Sequence, residues 1–119
     1  MDALLLLVVV ALLLAVGVPE LTAARRRSAQ SALRSDLRRL ASAQESYFYD
    51  HRVYAADPLD LQATGFRPSA GVRIGVHEAT QTGWSASASH PDTPDRCFLF
   101  LRSAAPVGTA TKPGEMHCS

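Results

Sequence analysis

Sixteen consecutive residues, Ala3 to Val18, carry no polar side chain, and the hydrophobic pattern changes period twice after them. A membrane-spanning helix needs about 20 apolar residues, with about 17 as the lower limit. The run alone falls short and reaches that length only with Leu21-Thr22-Ala23-Ala24, beyond Pro19-Glu20. Arg25-Arg26-Arg27 then end it. A second reading of the same run is a secretory signal cut after Thr22-Ala23-Ala24. Against that reading, Met1-Asp2 places an acid where such signals carry cations.

From Ser28 onward the period is helical. Leu33, Leu37, Leu40, Ala41, Gln44, Tyr47 and Phe48 form an apolar stripe at three- and four-residue spacings. Gln44 interrupts it and is expected to bond to backbone of the segment that follows. Arg34, Asp36, Arg38, Arg39 and Glu45 are placed off the stripe, with Asp36 and Arg39 at a favourable i, i+3 spacing. No glycine or proline interrupts Glu20 to Tyr54, so one helix near 50 residues is expected, apolar in its first half and amphipathic in its second. Pro19 removes a backbone hydrogen bond inside it. That predicts a kink in the free subunit and non-helical backbone near Gly17–Pro19 where copies pack. A helix this long exceeds what so small a head covers, so its apolar half must be buried in lipid or against copies of itself. Val9 and Leu13 are the contacts expected there, with Pro19 setting the bend.

Ala55 to Ala70 is a connector punctuated by Asp57-Pro58, Gly65 and Pro68. The period then becomes two. Val72, Ile74 and Val76 alternate with Arg73, Gly75 and His77, and Trp84, Ala86 and Ala88 alternate with serines. Cys97-Phe98-Leu99-Phe100-Leu101 is apolar on both faces. Turn residues at Thr80–Gly83 and Pro91–Asp95 make these a hairpin-linked meander. Its one apolar face has only the helix stripe to pack on. Ala104 to Ser119 reads as a loop with nothing but Cys118 to fasten it. The fold class is therefore α+β: a long N-terminal helix on a three- to four-stranded antiparallel sheet. The divisions are a hydrophobic helix, 1–24, and a head, 25–119, comprising amphipathic helix 25–51, connector 52–70, and sheet with terminal loop 71–119.

Composition narrows function by exclusion. Net charge is +1, which gives no field directing nucleic acid to the chain. Two cysteines, Cys97 and Cys118, fit one disulfide in an exported head or two thiols in a cytosolic one. His51, His77, His90 and His117 lack metal-ligand spacing, and no nucleophile elbow, P-loop or dinucleotide fingerprint is present. The reading is a protein that associates: no enzyme, no cofactor, no metal. Tyr47, Phe48, Tyr49 and Tyr54 are expected to pack against the sheet.

These residues carry a resemblance. Leu4 to Pro19, with Val8-Val9-Val10-Ala11 inside it, resembles the hydrophobic segment of type IV pilins. Ser35–Arg38 and Ala43–Tyr54 resemble the second half of the pilin helix and its exit. Gly83–His90 and the cysteine pair resemble the strand and disulfide-closed loop of short bacterial members. The resemblance implies the pilin fold, a Cys97–Cys118 bridge, and polymerisation into an extracellular pilus. The implied partners are copies of itself, the inner-membrane pilus assembly machinery, a prepilin peptidase, and the lipid bilayer before assembly. Pilins carry a glutamate 17 residues before this proline; Asp2 matches that position and would pair with a neighbour's terminal amine. An alignment on Val8–Ala11 puts Leu5 there instead and needs a three-residue deletion. Their basic leader is expected upstream of Met1. Without it, Arg25–Arg27 would hold the head in the cytoplasm; with it, the head lies outside. Two other readings stand beside this one: a pseudopilin of a type II secretion or competence system, and a monomeric anchor with a small binding head.

Overall fold

The computed structural model describes residues 2–119, and the side chains of all of these but 13–19. One helix, α1 (Asp2–His51), sets the long dimension. Its 50 residues, at about 1.5 Å of rise each, account for the 74 Å longest extent. It ends where Arg52 turns left-handed (φ 60°), its N–H still donating to the Phe48 carbonyl at 2.8 Å. A short 3₁₀ helix, Pro58–Thr64, follows; Asp57 caps it by accepting from the Leu59 N–H, and Gly65 closes it.

Four strands form an antiparallel meander in chain order: β1 (Arg73–Ala79), β2 (Gly83–His90), β3 (Thr93–Arg102) and β4 (His117–Cys118). Register decides which side chains share a face. Val76 pairs with Ala86 and Ala86 with Leu99, while Ile74 pairs with Ala88 and Ala88 with Cys97. Ala86, Ala88, Cys97 and Leu99 of that row, with Trp84 and the partly buried Ile74, meet Leu33, Leu37, Leu40 and Ala43 of α1 in one core, to which Tyr54, Leu61, Phe66 and Val72 also belong. Trp84 and the three leucines are fully buried. Each such leucine contributes about 1.5–3 kcal/mol relative to exposure.

Three expectations are corrected. Ser85 and Ser87, read as the polar outward row of β2, are buried. They stand opposite Phe100 and Phe98 of β3, on a second face of the sheet that is itself covered. The segment read as a tail fastened only by Cys118 makes that cover: Ala104 and Ala110 are buried with Phe100, and Phe98 and Val107 pack on them. Gly108 lies flat on the Phe98 ring, where a Cβ would come within 2.4 Å of it. This second cluster is the physical reason β3 is apolar on both faces. Asp36, placed on the solvent side, is fully buried.

Candidate assembly surface

The connector is held to α1 at two points. Asp36 accepts from the Ser69 N–H and hydroxyl, both at 2.7 Å, and pairs with the Arg39 guanidinium. Arg39 also donates to the Arg67 carbonyl at 3.1 Å and lies over the Phe66 ring. Ser69 opens a turn closed by the Val72 N–H, with Gly71 left-handed within it (φ 81°). A Cβ on Gly71 would sit 2.5 Å from His90 Nε2, so both the turn and the contact require glycine there. The second point is Gln44. Its Nε2 donates to the Ala55 carbonyl at 2.9 Å and its Oε1 accepts the Ala55 N–H at 2.8 Å, as its place on the stripe predicts. These contacts, with the leucine core, fix the direction in which α1 leaves the head.

What leaves the head is bare. Leu4 to Val10 and Leu12 are large apolar side chains between 46% and 72% exposed, forming a contiguous surface of a kind that marks an interaction site. Asp2 lies exposed in the first turn, where the positive end of the helix dipole favours a carboxylate. Val9 stands seven residues on, hence on the same face. Leu13 and Pro19, assigned to the same surface, have side chains outside those described; the backbone of α1 stays helical through Pro19, as expected of the free subunit. Among the described residues no helix is long and apolar enough to cross a membrane.

The other end of α1 gathers aromatic and charged groups. Phe48 stacks on Tyr54 with centroids 4.6 Å apart, and Arg102, itself left-handed (φ 58°), lies over both rings. The Tyr54 hydroxyl donates to Glu45 at 3.1 Å, and Arg102 pairs with the other Glu45 oxygen at 3.5 Å. Desolvation, and then the Glu45 carboxylate, push the Tyr54 phenol above its ordinary pKa. Tyr47 stacks on His51; Tyr54 lies in the core shared with the sheet and Tyr47 and Phe48 pack against it, so three of the four aromatics pack as expected. Tyr49 does not: it is 75% exposed, with Arg52 over its ring.

Cys97 and Cys118 form a disulfide, with Cα atoms 4.0 Å apart. They occupy the close pair of the β3–β4 ladder, beside the hydrogen-bonded pair of Arg96 and Ser119. The remaining histidines serve local contacts: His77 with Ser87, His90 with Ala70 and Asp92, His117 with Thr109. Among the described residues no three histidine, cysteine or acidic side chains gather to hold a metal. The Asp36–Ser69 lock was missed, although its signal was present: position 36 is three residues after Leu33 and four before Leu40, which puts it on the buried face. No protein-family profile matches the chain, and comparison with curated proteins yields no match.

Proposed function

We propose that this chain is a type IV pilin-like structural subunit that polymerises into an extracellular filament through the apolar half of α1. The observation that carries the reading is the exposed row Leu4–Val10 and Leu12 on a helix that runs on, without interruption, into a closed α+β head. Water is a poor solvent for that row; lipid before assembly and neighbouring copies after it are good ones. Burying each of those side chains contributes about 1.5–3 kcal/mol. A long helix on a four-stranded meander, with a disulfide near the end of the chain, fits the pilin fold. A bridge of this kind also suits an oxidising compartment. In this reading Asp2 sets the register of neighbouring helices, and Pro19 lets the apolar segment bend as they pack. A prepilin peptidase and the inner-membrane assembly machinery deliver the subunit, whose role is association and not catalysis. Electron microscopy of sheared surface material tests it: filaments containing this subunit are expected. A protein recovered only as single copies in the membrane would leave an anchor in its place.

A further inference from the structure

Arg25, Arg26 and Arg27 are all exposed, and at 3.6 residues per turn they point in directions about 100° apart. They make a collar around α1 and not a stripe along it. The positions three and four residues away, 21–24 and 28–31, hold no carboxylate. Among the described residues the ion pairs are Arg39–Asp36 and Arg102–Glu45, and neither involves the collar. The lower edge of the head lies level with it. Arg25 shares a hollow with Ser69, His90 and Asp92, and exposed Arg73 borders the same hairpin beside His90 and Pro91. Arg25 lies seven positions after Val18, about 10 Å of rise. The polar layer on each side of a bilayer is roughly 5–7 Å deep. Arginine side chains reach back along a helix by more than the difference.

We propose that Arg25–Arg27 bind the phosphodiester headgroups of anionic lipids and seat the head on the membrane before assembly. This rests on the reading that the apolar half of α1 enters the bilayer. Guanidinium suits the task because its fork of donors matches phosphate oxygens bidentately, and the chain carries eleven arginines against one lysine. Each basic residue near an anionic surface strengthens binding about fivefold at moderate salt, so three give about a hundredfold.

The test is partition of the full chain onto phosphatidylcholine vesicles with and without phosphatidylglycerol, at low and high salt. Both should bind, the anionic ones tighter by at least about tenfold, and salt should erase the difference. The triple variant R25Q/R26Q/R27Q should bind phosphatidylcholine as the parent does and lose the anionic preference. Equal binding of the parent to both vesicles, or a preference that survives the triple substitution, overturns the collar while leaving the bilayer reading intact. Failure to bind either vesicle, with the head still folded, overturns the bilayer reading and the collar with it. Tighter binding to a DNA duplex than to anionic vesicles at the same salt overturns the lipid assignment in favour of nucleic acid.

Discussion

At the scale of single residues, the two polar side chains buried in α1 have different histories. Gln44 was legible because a lone amide on an apolar stripe must find backbone, and the connector was the backbone within reach. Asp36 satisfied the same spacing rule, yet acids are so seldom buried that composition outweighed periodicity. The partner that makes its burial tolerable, Ser69, lies 33 residues away and is visible only once the chain has folded. Asp36→Ala should cost about 1.5–3 kcal/mol, the range for losing hydrogen bonds to a charged group. The larger penalty of breaking a buried ion pair does not apply, because the Arg39 side chain is 46% exposed and water solvates it. Urea unfolding followed by fluorescence of the buried Trp84 measures the loss, and an unchanged midpoint would dismiss the lock. Tyr54 supplies a pH signature. Its phenol is held above 10.0 in the folded head, so the native state keeps its proton to higher pH than the unfolded chain does. That contribution is fully present below about pH 10 and declines as pH rises through the folded value. Tyr54→Phe should flatten the alkaline fall in stability, and parallel curves for the two proteins would count against it.

Among the elements, those with a period were readable and those without one were not. The helix and the three long strands announce themselves by spacings of 3.6 and two, and the turn residues between strands fix a meander. The segment from Ala104 to Met116 has no period, so its role as the cover of Phe98 and Phe100 could not be read ahead of the fold. The doubly apolar strand at Cys97–Leu101 was the clue that something must cover its second face. The same logic applied to α1 gives a prediction about its bare half. An aspartate at the centre of an apolar span costs roughly 2.5–3.5 kcal/mol. In a polymer every copy carries that cost at every contact, whereas the head, which Val9 does not touch, carries none. Val9→Asp should therefore abolish filaments while leaving Trp84 emission and head stability as they are. Normal filaments from this variant would refute the helical core.

For the molecule as a whole, the question is what holds a head this small closed at its far end. The fully buried part of the α1-facing core ends at Cys97 and Leu99, with Met116 and Cys118 only partly buried against it, and the terminal strand, His117–Cys118, is too short to pair stably alone. The disulfide joins them across 21 positions. Closing a loop of that size stabilises by roughly 3 kcal/mol in the chain-entropy model. The second cluster supplies a further hold, since Gly114 donates to the Phe100 carbonyl at 2.8 Å and Ala104 and Ala110 stay buried beneath the segment. Removing the bridge should then weaken the head without unfolding it. C97S/C118S should lower the unfolding free energy by about 3 kcal/mol, and hydrogen exchange should rise first at residues 115–119 and only later at 98–110. Uniform exchange across the sheet would mean that the second cluster holds nothing by itself. Mass spectrometry of the unreduced protein from cells completes the test, because peptides carrying Cys97 and Cys118 should travel as one linked species. Free thiols at both positions would remove the bridge in the living cell, and with it the case for a head that matures outside the cytoplasm.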